Sequence, residues 1–230
     1  MNFKEKTTGQ NLQAKSFIAN YGGIANIAAE NGQLKSKVAI NIKGTNPSPL
    51  EVRQYLSTKL DSAGFDKIIE HESKFKHFNA NNEPIKSFDK GYGMCQLTNP
   101  TPRFEQVWNW QMNVDGGLQL FEEKRKIARA YLGQNDRSYT ERQLNYESIC
   151  RWNGGRYHEW DTPTSQWIRQ KHILCDSKTG NIGWDMNDPE NRGKTEAELH
   201  KRDRDTYSRP PQPGAHWQYF GVCYADRILK

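Results

Sequence analysis

The longest regular pattern in this sequence extends from Val107 to Leu132 and predicts an α-helix. Its apolar residues recur at spacings typical of a helix. They include Leu118, Leu120, Phe121, Ile127, Ala128 and Tyr131. A helix this long must bury its apolar face against other elements. The rest of the chain therefore has to supply a matching core.

Another helix start is encoded in residues 48–51. Ser48 is a preferred N-cap residue, Pro49 suits the first helical position, and Glu51 completes a capping box. We expect this helix to end at Gly64, because glycine commonly follows the last turn. The sequence predicts other helices over residues 11–30, 65–75 and 138–151, and a closing helix in the segment YFGVCYADRIL.

Strand signals are fewer than helix signals. Val38, Ile40 and Ile42 alternate with polar residues, as in a short strand. The segment 160–215 is rich in Trp, Gly, Pro and Asp, and we expect irregular structure there with a hairpin near residues 176–181. The predicted fold class is therefore mainly α, of the α+β type, with a small β-hairpin region and a substrate cleft.

The domain organisation follows from the segment GTNPSP at residues 44–49, which is typical of a turn or linker. It separates a lead-in segment, residues 1–45, from a larger domain, residues 46–230. The chain has 230 residues, a length that fits one large domain with a small appendage.

The charge of the chain has two interpretations, attraction to anionic partners or solubility alone. The formal net charge is +6 and the pI is about 9.0, so nucleic acid, anionic lipid and bacterial cell wall would all attract it. The densest basic cluster, Lys201-Arg202-Asp203-Arg204, is interrupted by an acid. A nucleic-acid-binding arm would carry a less interrupted cluster, and we expect no nucleic-acid partner.

The early apolar stretch FIANYGGIANIAA, residues 17–29, is too short to span a bilayer. The N-terminal residues lack the apolar core of a signal peptide. We therefore expect no membrane insertion and no signal peptide on this chain.

The cysteines do not suggest a redox or zinc motif. The chain has four, Cys95, Cys150, Cys175 and Cys223, and no pair has the Cys-x-x-Cys spacing. The spacing is compatible with free thiols and with one or two disulfide bonds.

The segment IIEHESKFKH, residues 68–77, carries two carboxylates and two imidazoles. A zinc motif on a helix needs histidines four residues apart. His71 and His77 are six apart, which on a helix is roughly 120° around the axis and about 9 Å along it. We therefore expect no metal here, and we interpret Glu70, His71 and Lys74 as a solvated helix end.

Glu72 differs from its neighbours because of three ordered motifs. They are Glu72-Ser73 at a helix end, Gly93-Met94-Cys95-Gln96 in a glycine-rich segment, and Trp152-Asn153-Gly154-Gly155. This set resembles the lysozyme-like superfamily, in particular goose-type lysozymes and soluble lytic transglycosylases. The resemblance covers about residues 48–230 and is strongest between residues 68 and 155. It implies a lysozyme-like glycosidase domain without a cofactor.

The resemblance also implies roles for individual residues. Glu72 would be the general acid, and Asp89 would position water shortly before the glycine-rich segment. The alternative interpretation of Asp89 is a turn residue before Lys90-Gly91. Glu83 and Asp115 are poorer candidates, Asp115 being expected to cap a helix. The residues expected to bind substrate are Ser73, Gly91, Tyr92, Gly93, Met94, Gln96, Trp152 and Asn153. The sequence departs from the family pattern at Thr98, where goose-type enzymes have a second acid, and at Trp152, where the family has Tyr.

The expected activity is that of a muramidase, cutting the β-1,4 bond between N-acetylmuramic acid and N-acetylglucosamine in peptidoglycan. One alternative is a lytic transglycosylase giving 1,6-anhydro products. A second is a non-catalytic module that binds cell wall or nucleic acid. The expected setting is secreted, in the bacterial periplasm or on the cell wall, as the C-terminal domain of an antibacterial effector such as a type VI secretion toxin; a phage endolysin is the alternative. An effector would have an immunity protein as its partner.

Overall fold

A computed structural model describes residues 21–230 of the chain. Seven α-helices and seven β-strands lie in these residues. The helices are α1 (Pro49–Ser57), α2 (Phe65–Ser73), α3 (Phe104–Trp108), α4 (Trp110–Leu132), α5 (Glu141–Asn153), α6 (Glu196–Asp203) and α7 (Gly221–Ile228). The strands are β1 (Gly23–Asn31), β2 (Leu34–Ile42), β3 (His158–Asp161), β4 (Gln166–Arg169), β5 (Ile173–Cys175), β6 (Ile182–Asp185) and β7 (Gln218–Tyr219).

The predicted mainly α fold class is wrong, because the described residues form a mixture of helices and strands. The strands make three antiparallel sheets, β1–β2, β3–β4 and β5–β6–β7. Most of them are four residues or shorter, too short for an alternating pattern to stand out from polar neighbours. Pairing with an adjacent strand, rather than local periodicity, determines where such strands form.

The described chain divides into two compact units. The first unit contains residues 21–55 and Glu72–Gly117, and the second contains Leu56–His71 and Leu118–Lys230. The predicted boundary at residues 45–46 stays a prediction.

In the first unit, α1 begins as the sequence predicts. The backbone N–H of Ser48 donates to Glu51 Oε2 (2.8 Å), and the N–H of Glu51 donates to Ser48 Oγ (3.2 Å). This reciprocal pair is the predicted capping box, which is confirmed. The helix ends at Ser57, before the predicted end at Gly64.

The β1–β2 hairpin has one apolar face. Ala25 pairs with Ile40 and Ile27 pairs with Val38, and alternate residues of a strand point to the same side. Ile27, Val38 and Ile40 are 44%, 54% and 44% exposed. The strand prediction for residues 38–42 is confirmed. The helix prediction is wrong for residues 23–30, and residues 11–20 lie outside the described residues.

The second unit contains two buried apolar clusters. One is formed by Ala128, Leu132, Leu144 and Trp167, and the other by Ile182, Trp184, Leu199 and Trp217. The segment 160–215 is therefore more regular than expected. The hairpin predicted near residues 176–181 is confirmed, because β5 pairs with β6 on either side of it.

A disulfide bond joins β5 to the closing helix α7, whose prediction is also confirmed. It links Cys175 and Cys223 across 48 residues of sequence. Cys95 and Cys150 are buried free thiols.

Candidate functional site

Glu72 lies in the last turn of α2 and is half-buried. The helix ends at Ser73, and the next two residues, Lys74 (φ 56°) and Phe75 (φ 61°), are left-handed. Left-handed backbone is unfavourable for residues with a Cβ, so the reversal has to be stabilised by its surroundings. The Phe75 side chain is buried, and the Arg53 guanidinium lies 4.7 Å from the centre of its ring. The turn after Glu72 is thereby fixed.

The glycine-rich segment forms a tight loop between Gly91 and Leu97. The N–H of Tyr92 donates to Leu97 O (3.0 Å), and the N–H of Leu97 donates to Tyr92 O (3.1 Å). The side-chain amide of Gln96 donates to Gly93 O (2.7 Å). Met94 is fully buried. The loop is closed at its base by backbone bonds and across its middle by Gln96.

Two buried side chains hold this loop from behind. The N–H of Met94 donates to His77 Nδ1 (3.2 Å), and His77 Nε2 donates to Val107 O (2.9 Å). The side chain of Asn113 accepts from the Cys95 N–H (2.9 Å) and donates to Tyr92 O (3.0 Å). These bonds satisfy backbone groups that would otherwise be buried without partners. They also fix the loop on the N-terminal part of α4.

The position of Gly93 explains why the loop needs glycine. Its φ is +69°, and a Cβ there would lie 2.4 Å from His77 Cε1 and 2.6 Å from Asn113 Nδ2. Any larger residue would push away the two side chains that hold the loop.

Glu72 lies within electrostatic reach of the loop. Burial raises the pKa of the Cys95 thiol, and the negative charges of Glu72 and Asp115 raise it further. Asp115 lies inside α4 rather than capping a helix, so that expectation is wrong. The Tyr55 hydroxyl donates to Asp115 Oδ2 (2.8 Å). The charges of two carboxylates of the first unit therefore raise the pKa of one thiol in the loop.

Asp89 lies in the exposed turn that precedes the loop. The hydroxyl of Ser87 donates to the Asp89 carboxylate, and this bond lowers the pKa of Asp89. The N–H of Gly91 donates to the same Ser87 hydroxyl (2.8 Å). Asp89 is thus kept ionised at the start of the loop.

The other predicted site residues of the first unit take different positions. Met94 is part of the core and Gln96 is used within the loop. Tyr92 is half-buried, and the Lys86 ammonium lies 5.2 Å from its ring centre. The carbonyl of Ser73 accepts from the Lys76 N–H (3.0 Å). Tyr92 is the aromatic residue among these four.

Trp152 and Asn153 belong to the second unit. Trp152 is half-buried, with its ring centre 5.6 Å from that of Phe65 and 6.4 Å from that of Phe121. Asn153 is the exposed last residue of α5. Trp152 therefore contributes to packing within its unit.

Both ring nitrogens of His77 bond backbone groups, so this imidazole is not available to a metal. Within residues 21–230, no group of three or more His, Cys, Asp or Glu side chains is arranged to hold a metal ion. No helix in the same residues has the length and apolar character to cross a membrane.

Sequence reasoning missed the supporting residues of the site. The sequence pattern brings His77 to attention only as a metal ligand, and it does not single out Asn113 or Tyr55 as site residues. Asn113 is a polar residue that precedes Val114 on the predicted long helix, but polarity alone does not mark it as a buried support. Its bonds to loop backbone could not be inferred without the tertiary structure.

Comparison with known proteins does not extend these observations. No family model, curated protein or solved structure matches the chain.

Proposed function

We propose that this protein is a peptidoglycan hydrolase of the muramidase type, with Glu72 as its general acid. The observation that carries the proposal is the proximity of Glu72 to the Gly91–Leu97 loop. The negative charge of Glu72 raises the pKa of the buried Cys95 thiol in that loop. The order of motifs in the lysozyme-like superfamily, a Glu-Ser pair followed by a glycine-rich segment, supports the same conclusion.

The proposed chemistry needs two carboxyl groups with different roles. Protonated Glu72 donates its proton to the glycosidic oxygen as the bond from that oxygen to the sugar C1 breaks. A second, ionised carboxylate accepts a proton from water as the water oxygen bonds to C1. An inverting reaction of this kind uses carboxyl groups about 6.5–9.5 Å apart.

Two residues of the first unit are candidates for the second carboxylate. Asp89 is the position that the family resemblance favours, and the lowered pKa of its carboxyl keeps it ionised. The charge of Asp115, like that of Glu72, raises the pKa of the Cys95 thiol. The carboxylate of Asp115 accepts a hydrogen bond from the Tyr55 hydroxyl. We propose Asp89 as the base and use Asp115 as the competing assignment in the test.

The setting that we propose is the bacterial periplasm or cell wall. The net charge of +6 favours binding to an anionic wall. The Cys175–Cys223 disulfide bond supports this setting, because such bonds persist in oxidising compartments. An antibacterial effector, inhibited in its producer by an immunity protein, would fit these conditions.

The decisive experiment is digestion of purified peptidoglycan, with the released fragments weighed by mass spectrometry. We expect the wild type to release reducing-end muropeptides and Glu72→Gln to lose at least about a hundredfold in rate, the lower range for removal of a general acid. Glu70→Gln, on the same helix, is the matched control and should retain activity.

The possible products separate the alternatives. Fragments lighter by one water would identify a lytic transglycosylase. Equal release by the wild type and Glu72→Gln, or no release by the wild type, would contradict the proposal. Comparing Asp89→Asn with Asp115→Asn assigns the base, because only the variant lacking it should lose activity to a similar extent as Glu72→Gln.

A further inference from the structure

A row of arginine and aromatic side chains lies on the second unit, where the end of α4 meets the β3–β4 hairpin. The Arg137 guanidinium lies 4.3 Å from the ring centre of Trp160 and 5.3 Å from that of Trp167. The Trp167 ring centre lies 5.0 Å from that of Tyr131, and the Arg156 guanidinium lies 5.5 Å from the Tyr131 ring centre. We call these five residues the arginine row. Its rings hold two cations in place through cation–π contacts.

The rings of the arginine row are fixed within the second unit. Trp167 belongs to a buried apolar cluster of this unit, and its indole N–H donates to Leu132 O (2.9 Å). The Tyr131 hydroxyl donates to His158 O (2.8 Å). Trp160 pairs with Trp167 in the register of the hairpin. A surface that is ordered before binding loses less conformational freedom when a partner binds.

The two cations of the arginine row have no carboxylate partner in the described part of the chain. Neither Arg137 nor Arg156 forms an ion pair with an Asp or Glu of residues 21–230. Arg151 of the same unit does, with its guanidinium 2.8 Å from Glu147 Oε1. Arg137 is half-buried and Arg156 is exposed. The donors of both guanidinium groups can therefore bond an anion that another molecule supplies.

The surroundings of the two cations disfavour a nucleic acid as that molecule. A single strand is bound through free ring faces for its bases and a basic groove for its backbone. Trp167 is buried, and guanidinium groups already lie over the rings of Trp160 and Tyr131. The exposed carboxylate of Asp136, next to Arg137 in the chain, would repel phosphates. The arginine row therefore lacks both features.

The same chemistry favours carboxylates that a protein presents. Trp, Tyr and Arg are the residue types that dominate the binding energy at protein interfaces. A guanidinium group bonds one carboxylate through two parallel N–H···O bonds. The net charge of +6 adds a general attraction for an acidic partner. Two separated cations on a fixed aromatic base thus match a protein segment that carries separated carboxylates.

We infer that the arginine row binds an acidic segment of a partner protein. Arg137 and Arg156 each bond a carboxylate of that segment, and the rings between them form the base on which it packs. The inference concerns the second unit alone. It does not rest on the proposed function, whose catalytic residues belong to the first unit.

The test uses two synthetic peptides, one alternating Glu with Ser over about twelve residues and the other alternating Gln with Ser. When extended, the first presents a carboxylate on one face about every 6.6 Å, twice the rise per residue. The readout is the indole N–H signal of Trp160 in two-dimensional NMR spectra, assigned with Trp160→Phe. At about 0.15 M salt, the Glu peptide should shift this signal and the Gln peptide should leave it unchanged.

Variants of the two cations test their roles separately. Arg137→Gln and Arg156→Gln should each weaken binding of the Glu peptide about fivefold, the upper range for a partly exposed ion pair. Because Arg156 is exposed, its substitution should have little effect on folding. Arg209→Gln is the matched control, since the Arg209 guanidinium lies 6.0 Å from the ring centre of Tyr219, outside the arginine row. It should change the affinity by less than about twofold.

The inference would be overturned if the Glu peptide left the Trp160 signal unchanged, or if the Gln peptide bound equally well. Equal losses of affinity in Arg156→Gln and Arg209→Gln would reduce the binding to general charge attraction and also overturn it. Tighter binding of an oligothymidylate of similar length, dependent on Arg137 and Arg156, would assign the surface to nucleic acid instead. Failure of the proposed function is distinguishable from these results, because peptide binding is measured without peptidoglycan.

Discussion

The imidazole of His77 is held in its neutral form by two backbone partners. Nε2 carries a proton that it donates to Val107 O, and Nδ1 accepts from the Met94 N–H. A second proton on Nδ1 would break the bond to Met94. Burial opposes the charged form as well, and it lowers the pKa of His77 to about 4. This residue therefore links the stability of the loop to pH.

We predict that His77 makes the protein less stable in acid. Between pH 6.5 and about 4, the unfolded chain binds a proton at this residue and the folded chain does not. Stability is thus fully present above pH 6.5 and falls by about 3 kcal/mol as the pH drops to 4. Urea unfolding at pH 7 and pH 4 measures the free energy of unfolding of each protein. The loss between the two pH values should be about 3 kcal/mol smaller in His77→Gln than in the wild type.

Exposed His216 provides the control for that experiment. His216→Gln should keep the pH dependence of the wild type. If His77→Gln lost as much stability between pH 7 and pH 4 as the wild type, the assigned role of His77 would be wrong.

The second prediction at the residue scale concerns Gly93. Gly93→Ala should destabilise the protein by about 2 kcal/mol more than Gly155→Ala, since overlap in a packed site typically costs ~1–3 kcal/mol. Both glycines have positive φ, +69° and +98°, but a Cβ at Gly155 would meet no atom within 4 Å. Denaturant unfolding of the two variants isolates the overlap with His77 and Asn113. Equal losses would mean that only the backbone conformation matters.

At the scale of elements, one buried carboxylate joins α5 to β3 in the second unit. Glu147 is fully buried. Its Oε2 accepts from the N–H groups of Tyr157 and His158 and from His158 Nδ1, each at 3.0 Å. The Arg151 guanidinium lies 2.8 Å from Oε1. The end of the helix and the start of the strand are thereby fixed to one side chain.

We predict that Glu147→Ala lowers the free energy of unfolding by ~3–5 kcal/mol, because it leaves the half-buried Arg151 cation and several buried donors without their partner. Chemical denaturation followed by circular dichroism measures this loss. Glu123→Ala, on the exposed face of α4, should change stability by less than about 0.5 kcal/mol. A similar small change in Glu147→Ala would refute the assigned role.

The elements that sequence patterns predict best are those with local start signals. The capping box of Ser48 and Glu51 and the apolar spacing of α4 depend on neighbours within one or two turns. In the second unit, by contrast, β7 forms through a partner that is distant in sequence, because Ile182 pairs with Tyr219. A short apolar run next to Gly or Asp carries little information about such pairing.

The candidate site divides in the same way. Glu72 and Gly93 are predicted as site residues because their motifs are short and local. His77 and Asn113 act through bonds to residues 17 to 30 positions away. The polar character of these two residues alone does not distinguish a buried support from a solvated surface residue.

At the scale of the whole molecule, the Cys175–Cys223 bond is the covalent constraint on the second unit. Closing a loop of 48 residues reduces the conformational freedom of the unfolded chain. On the chain-entropy account this contributes about 4 kcal/mol to stability. The contribution requires that the bond stay oxidised where the protein works.

We predict that the double variant Cys175→Ser, Cys223→Ser loses ~2–4 kcal/mol of stability. A reductant should lower the denaturation midpoint of the wild type towards that of the variant and leave the variant unchanged. The buried free thiols Cys95 and Cys150 are common to both proteins and so serve as an internal control. If a reductant also lowered the denaturation midpoint of the double variant, the stabilisation could not be attributed to the Cys175–Cys223 bond.

The β1–β2 hairpin has a consequence for the behaviour of the protein in concentrated solution. Its apolar face, with Ile27, Val38 and Ile40, is exposed, and a two-stranded sheet leaves the outer edge of each strand open to another chain. At low ionic strength, the net charge of +6 keeps molecules apart. At about 1 M salt the Debye length falls to ~3 Å. Charge repulsion between two molecules is then screened until their surfaces are almost in contact, and the hairpins can meet. We therefore expect added salt to make this protein associate more readily. A protein whose surface is dominated by paired charges would show the opposite, with added salt increasing its solubility.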